Sequence, residues 1–226
     1  MGWKASFIIV QKPVAIDHLT LLKHLGFSGL SKTDNEPFEV AIYPEDNKVY
    51  IGSYKDNLLI CAPDIPLQLF EDEPSWLEKK LKSLFPQSEL CAIVLQSTVN
   101  LWGYSVIVNG QKRARAGSAD DGTFLSIGDP LEEEKELLSK STIDEEGNRI
   151  YLLEDFPDEP FQEDQVGENF VFSICKRYFG AELHSADNEH LFETMLEGYT
   201  YEHQSSENTH HQNTNKSSNK PWWKFW

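Results

Sequence analysis

Basic residues are scarce in this sequence. Lysine and arginine total 20 against 37 aspartates and glutamates, which gives a net charge of −17 over 226 residues. A nucleic-acid-binding surface needs clustered lysine and arginine to displace the counterions of the phosphates. The deficit predicts that the folded part of the chain does not bind nucleic acid. A protein partner, with a basic protein as the natural class, suits such a surface better.

Cysteines are few, and long hydrophobic runs are missing. Cys61, Cys91 and Cys175 lie in apolar stretches and lack the spacing of a disulfide framework. We expect buried, reduced thiols in a reducing compartment. No stretch approaches the roughly 20 apolar residues of a membrane-spanning helix, and the apolar run near the N-terminus is too short for a signal peptide. These features predict a cytoplasmic protein without an integral membrane segment.

The motifs that identify many catalytic and cofactor sites are also missing. The sequence has no nucleophile elbow, no phosphate-binding loop, no dinucleotide-binding glycine pattern and no H-E-x-x-H zinc motif. Asp120, Asp121 and Asp129 lack the alternating oxygen ligands of a calcium loop, and a turn accounts for the Asp-Asp-Gly stretch. We therefore predict no catalytic residue, no cofactor and no metal site.

Strand signals are frequent along the first two thirds of the chain. Asn109-Gly110 separates two apolar runs and predicts a hairpin, because this dipeptide tolerates positive φ at both turn positions. The run 90–97 is apolar on both faces, which is typical of a central strand. The predicted strands cover residues 4–10, 38–43, 48–54, 58–62, 90–97, 102–108, 111–117, 123–128 and 148–154.

Four helices are predicted from their caps and apolar spacing. Asp17 offers an N-cap oxygen to the first, and Ser75 with Glu78 forms a capping box for the second. Asp129-Pro130 is expected to open the third. The fourth covers 164–179, where apolar residues recur every fourth position. Residues 188–201 are compatible with a short helix or a strand.

These elements predict an α+β fold, in which a largely antiparallel sheet of about seven or more strands packs against three to four helices. We expect one globular domain over residues 1–203. From 204 to 220 the chain has no aliphatic side chain, which predicts a disordered polar tether. Residues 221–226, PWWKFW, form a C-terminal aromatic motif.

The aromatic motif is the first candidate for a binding element. Its side chains Trp222, Trp223, Phe225 and Trp226 offer large apolar area with few rotatable bonds, which suits docking into a groove of a partner. Two alternatives stay open. Tryptophan and lysine together also suit the headgroup region of a membrane, and the motif could fold back onto the protein's own apolar surface.

The second candidate is the acidic stretch from Asp129 to Asp164. It holds fourteen carboxylates and three cations. Such a stretch forms either an ordinary solvated surface or a docking surface that attracts a basic partner.

Two further pairs of side chains leave alternatives open. Arg113 and Arg115 alternate along a predicted strand and point to one face, where they could hold an anionic ligand or pair with acidic side chains. His18 or His184, with nearby carboxylates, could belong to an enzyme site assembled from residues scattered in the sequence.

Three stretches of the chain resemble uncharacterised bacterial proteins of the Bacteroidetes type. They are MGWKASFIIV at the start, RARAGSADDG…GDPLEEEKELL in the centre and PWWKFW at the end. The resemblance implies no activity and no site residue. The acidity and size are also similar to those of immunity proteins that neutralise basic bacterial toxins, by analogy of charge. The predicted function is a non-catalytic cytosolic protein-binding module, such as an adaptor, regulator or immunity-like protein; the alternative is an enzyme of unknown reaction.

Overall fold

The computed structural model describes residues 2–147, 149–153 and 156–204. In these ranges the strands are β1 (Lys4–Gln11), β2 (Phe27–Ser28), β3 (Ser31–Pro37), β4 (Lys48–Tyr54), β5 (Asn57–Cys61), β6 (Leu90–Gln96), β7 (Leu101–Val108), β8 (Gln111–Ser118), β9 (Gly122–Ile127), β10 (Ser141–Ile143), β11 (Arg149–Leu153), β12 (Phe156–Gln162), β13 (Met195–Thr200) and β14 (His203–Gln204). The α-helices are α1 (His18–His24), α2 (Phe38–Ala41), α3 (Trp76–Leu84), α4 (Glu132–Ser139), α5 (Glu163–Phe179) and α6 (Glu189–Phe192).

Nine strands form one antiparallel sheet in the order β3-β13-β4-β5-β1-β6-β7-β8-β9. A second sheet has the order β10-β11-β12, and β14 pairs with β2. The predicted α+β class with a largely antiparallel sheet is confirmed. Strand β6 lies between β1 and β7, and its residues Leu90 to Leu95 are all buried, as its continuous apolar run indicated.

The large sheet separates two hydrophobic cores. On one face, which we call the α5 face, alternate residues of β1 such as Phe7 and Ile9 pack with α2, α4, α5 and α6. On the other, the α3 face, Ile8 and Val10 pack with α1 and α3. Because strand side chains alternate between the faces, each central strand contributes to both cores.

The four helices predicted from caps and spacing are all present. Asp17 Oδ2 accepts from Thr20 N at 2.8 Å at the start of α1. Ser75 Oγ accepts from Glu78 N at 3.1 Å at the start of α3. The second contact of the predicted capping box would join the Glu78 carboxylate to the Ser75 amide. The Glu78 carboxylate instead contacts Lys82 Nζ at 2.8 Å and Lys112 Nζ at 2.7 Å.

The hairpin prediction is confirmed. Strands β7 and β8 are joined at Asn109 and Gly110, whose φ values are 50° and 82°. Residues 188–201 contain both of the structures that their pattern allowed, α6 followed by β13.

The prediction of a strand over residues 38–43 is wrong. The strand lies earlier, as β3, and Phe38 to Ala41 form the short helix α2. Phe38, Ala41 and Ile42 are buried while Val40 is 54% exposed, so the buried positions follow helical spacing. The Phe38 amide donates to Thr194 O at 2.8 Å, which fixes the turn from strand into helix.

The predicted start of the third helix also needs correction. Asp129 does not cap it: the N-cap is Leu131 and the helix begins at Glu132. The Glu134 carboxylate accepts from the amide of the N-cap residue Leu131 at 2.7 Å, which is the return contact of a capping box rather than the contact expected of an aspartate cap.

Candidate functional site

The acidic stretch folds into a layer of its own at one end of the α5 face. We call this layer, formed by α4, β10, β11 and β12, the acidic module. Its small sheet packs through Tyr151 against Phe170 of α5, with ring centroids 6.0 Å apart. Leu137 of α4 joins the same core. The module is therefore positioned by the large sheet and by α5.

A buried ion pair attaches α4 to the large sheet. Arg113 of β8 is 6% exposed and Glu134 is fully buried. Arg113 Nε lies 2.8 Å from Glu134 Oε2, and Arg113 Nη2 lies 2.5 Å from Glu134 Oε1, which is a bidentate arrangement. Arg113 Nη1 also donates to Gly128 O at 2.9 Å and to Ser126 Oγ at 3.1 Å. These contacts satisfy both charges inside the protein.

A second cluster attaches the small sheet and the start of α5. Arg115 Nη2 and Thr123 Oγ1 both donate to Glu163 Oε1. Tyr151 OH donates to Glu163 Oε2 at 3.0 Å. Burial, together with the charge of Glu163, raises the pKa of Tyr151, so its hydroxyl stays protonated and remains a donor. The Arg115 guanidinium also lies over the Phe170 ring, 4.4 Å from its centroid.

A third contact joins α4 to the last turn of α5. Arg177 Nη1 lies 2.8 Å from Glu133 Oε1, and Arg177 Nε lies 2.5 Å from Glu89 Oε1. Tyr178 OH donates to the same Glu89 oxygen at 2.5 Å. The hydrogen bond to Glu89 is the largest cause that raises the pKa of Arg177.

The acids of the stretch from Asp129 to Asp164 include two groups. Glu133, Glu134 and Glu163 face inward and bind arginines of β8 and α5. The second group of acids is exposed to solvent, and the side chains of Glu132 and Glu136 are each 81% accessible. The exposed acids are Asp129, Glu132, Glu136, Glu145, Glu146 and Glu159.

Among the described residues, one side of the small sheet is not covered by another helix or strand. Tyr151 points toward α5, so strand alternation places Ile150 and Leu152 on the opposite side, which we call the outer face. Thr142 and Gln162 pair with Ile150 from the two neighbouring strands and belong to the same face. Leu152 on this outer face is 45% exposed; Ile143, at the end of β10, pairs with Arg149 on the other face and is 55% exposed. The module therefore carries exposed aliphatic side chains as well as exposed carboxylates.

The structure decides between the two interpretations of Arg113 and Arg115. Both lie on the α5 face, as their alternation predicted, and both pair with acidic side chains of the protein itself. Their partners come from α4 and the start of α5 rather than from the neighbouring strand. No sequence signal identified Glu134 or Glu163 as partners, because the pairs are 21 and 48 residues apart in the chain.

The two candidate histidines lie on different layers. His18 Nδ1 is 3.5 Å from Glu197 Oε1 on the α3 side of the sheet. Tyr199 OH donates to Glu197 Oε2 at 2.7 Å and is the largest cause that lowers the pKa of Glu197. His184 packs against the Phe172 ring, with centroids 4.7 Å apart, in the other core. The structure does not bring the two histidines together.

The cysteines are buried and reduced, as predicted. Burial raises the pKa of each thiol, which keeps it in the unreactive protonated form. Asp120 and Asp121 lie in the turn before β9 and Asp129 lies beyond its other end. Within the described ranges, no group of three or more histidine, cysteine or acidic residues is arranged to hold a metal ion.

Two clefts are lined partly by cationic side chains that bind other groups of the protein. One, of about 470 Å³, is lined by Lys12, Lys55 and Asn57. In it, Lys55 Nζ donates to Phe179 O at 2.6 Å and Asn57 Nδ2 donates to Tyr178 O at 2.8 Å, so both hold the C-terminal end of α5. The other, of about 360 Å³, is lined by Lys112 and Arg113, which bind Glu78 and Glu134.

The C-terminal aromatic motif, with Trp222, Trp223, Phe225 and Trp226, lies outside the described residues, as does the predicted tether from 205 onward. Among the helices that are described, none is long and apolar enough to span a membrane.

Residues 22–152 match the model of DUF6928, a family of unknown function. The match extends over more than half of the chain, and the chain belongs to this family. It runs from α1 to β11 and so includes Arg113 and Glu134, while Glu163 and α5 follow it. No curated protein and no solved structure matches this chain.

Proposed function

We propose that this chain is a non-catalytic, cytoplasmic protein-binding module, an adaptor or regulator that binds a basic partner through its acidic module. One observation carries the proposal. The arginine-facing acids of the acidic stretch are neutralised internally, whereas Glu136, Glu145 and Glu146 of the module face solvent, as does Leu152 on its aliphatic outer face. A fixed surface of this composition suits a partner segment that carries both cations and apolar side chains.

The two components of this surface have different roles in binding. Exposed carboxylates accelerate encounter with a basic protein, because the attraction acts before contact. Exposed aliphatic side chains such as Leu152 provide the area whose removal from water stabilises the complex. Charge alone would give a fast but weak association, so the aliphatic centre is what makes a specific complex possible.

The aromatic motif supplies a second binding element in the proposal. Trp222, Trp223, Phe225 and Trp226 lie in sequence beyond a polar stretch of 16 residues, Ser205 to Lys220. Tryptophan is among the residue types that contribute most to protein–protein affinity. A protein with a charged surface and a separate aromatic element can connect two partners, or hold one partner at two points.

Affinity capture from a lysate of the source organism at low salt tests the proposal. Three forms of the full chain are compared: the wild type, a module variant with Glu136→Gln, Glu145→Gln and Glu146→Gln, and an aromatic variant in which Trp222, Trp223, Phe225 and Trp226 are replaced by serine. We expect a basic protein that binds the wild type and is retained at least about fivefold less by the module variant, which corresponds to about 1 kcal/mol.

A matched control separates the site from the total charge. The control variant carries Glu39→Gln, Asp72→Asn and Glu73→Gln, which remove three exposed negative charges from other parts of the surface. The control should retain the partner like the wild type. Equal loss in the control and the module variant would mean that net charge alone drives the capture, and equal retention in all four forms would exclude the acidic module as the binding surface.

A further inference from the structure

The C-terminal segment is rich in lysine and aromatic residues, whereas the exposed side chains of the acidic module are mainly acidic and aliphatic. From residue 208 onward the chain contains Lys216, Lys220 and Lys224 and no aspartate or glutamate. Its aromatic residues lie after Lys220 and on both sides of Lys224. We propose that, in the free protein, residues 216–226 cover the outer face of the protein's own small sheet. This inference deepens the proposed function and rests on it.

The outer face and the terminal segment match in two respects. The aliphatic side chains of Ile150 and Leu152 lie on the side of the small sheet against which no other described helix or strand packs. Indole and phenyl rings laid on them would be removed from water together with that surface. The lysines would then lie among Glu136, Glu145 and Glu146, where opposite charges attract.

The length of chain outside the structure is sufficient for this contact. The described chain ends at β14, which follows β13, and the acidic module lies over β8 and its neighbours. Six strand spacings separate β13 from β8, about 29 Å at about 4.8 Å each. The 11 residues from Ser205 to Asn215, which would link β14 to the docked segment, span at most about 40 Å. This span exceeds the separation of β13 and β8 along the sheet, which places the module within reach of the segment.

Intramolecular docking has a concentration advantage over a second copy of the chain. A linker long enough to reach its site holds the ligand at an effective concentration of roughly a millimolar. A second copy of the chain at micromolar concentration therefore competes poorly with the protein's own segment for the outer face. The contact would make the site self-regulating: a basic partner must displace the segment, and its binding releases the aromatic side chains for a second interaction.

A labelled peptide of residues 216–226 serves as the probe for the free face. Its affinity is compared between the full-length protein and the full-length aromatic variant. In the variant the resident segment is disabled, so we expect the peptide to bind about tenfold more tightly. A control variant with Gln212→Ser and Asn213→Ser keeps the lysines and aromatic residues and should behave like the wild type.

Methyl NMR of the full-length protein locates the contact. The methyl resonances of Ile150 and Leu152 should differ between wild type and aromatic variant, because stacked rings shift them, and the difference should not depend on protein concentration. A difference that disappears on dilution would assign the segment to a second copy and overturn the intramolecular contact.

The remaining outcomes separate this inference from the proposed function. Unchanged methyl resonances, or equal peptide affinity for wild type and aromatic variant, would overturn the intramolecular cover while leaving capture by the acidic module standing. Loss of capture by the module variant together with no methyl change would support the proposed function alone. If the module variant captured the partner as well as the wild type does, both the proposed function and the intramolecular contact would lose their basis.

Discussion

Replacing Gly167 by alanine is expected to destabilise the protein by about 3 kcal/mol. Gly167 lies in α5 directly over Trp102 of β7, and a β-carbon at this position would overlap the Cγ, Cδ1 and Nε1 atoms of the indole. Trp102 is fully buried and stacks on Phe170, with centroids 5.8 Å apart, so the ring has no free space to move into. The helix must shift away from the sheet, which opens the core on both sides of the contact.

Whether Gly167→Ala lowers or raises the free energy of unfolding distinguishes an effect of packing from an effect of helix propensity. In an ordinary helix interior, the change from glycine to alanine stabilises by about 1 kcal/mol. Urea unfolding of Gly167→Ala and of Lys176→Ala, an exposed position of the same helix, provides the comparison. Lys176→Ala should change the free energy of unfolding by less than about 0.5 kcal/mol. A neutral or stabilising Gly167→Ala would show that α5 is not held in direct contact with Trp102.

Replacing Glu134 by alanine is expected to cost about 3–5 kcal/mol of folding free energy, because it leaves the Arg113 charge buried without its carboxylate. Arg113 is 6% exposed and makes its bidentate contact with Glu134 alone. The change also removes the acceptor for the Leu131 amide at the start of α4. Denaturant unfolding measures the loss.

A double replacement tests the electrostatic origin of that loss. In Arg113→Met with Glu134→Leu, both charges disappear and apolar side chains of related volume fill the space. Such exchanges of a whole buried pair are often close to neutral. The double variant should therefore be more stable than Glu134→Ala alone. If it were equally unstable or worse, the loss would come from packing and capping rather than from an unpaired buried charge.

Local signals in the sequence predicted most of the large sheet. Strand β6 is marked by a continuous apolar run, the β7–β8 hairpin by Asn109-Gly110, and α3 by Ser75 as its cap. Each of these features depends on residues that are neighbours in the chain, so the physical cause is contained in a short segment. For the same reason α1 begins after its predicted cap, and α5 begins and ends close to its predicted positions.

Features decided by distant contacts were not predictable. Residues 38–43 have the composition of a strand, but the contact of the Phe38 amide with Thr194 O and the burial of Phe38 and Ala41 select a helical turn. The cap of α4 is likewise displaced, because Glu134 binds both the Leu131 amide and Arg113. The sequence showed that the stretch was acidic but not which acids face inward.

The division of the acids into two groups links the stability of the protein to its proposed function. The inward acids hold α4 and the start of α5 on the large sheet through Arg113 and Arg115, and hold α4 on the end of α5 through Arg177. The outward acids do not share that role. Neutralising exposed acids should therefore reduce partner binding without lowering stability, whereas removal of Glu134 or Glu163 should lower stability first.

The central claim is that the outward acids of the module attract a basic partner. The most direct measurement is the association rate of the captured partner with the full-length protein, recorded by stopped flow at increasing salt. We expect the rate to fall by about tenfold or more as salt screens the exposed charges. The module variant should associate slowly even at low salt and approach the wild type at high salt. A rate that is insensitive both to salt and to the three substitutions would contradict the account.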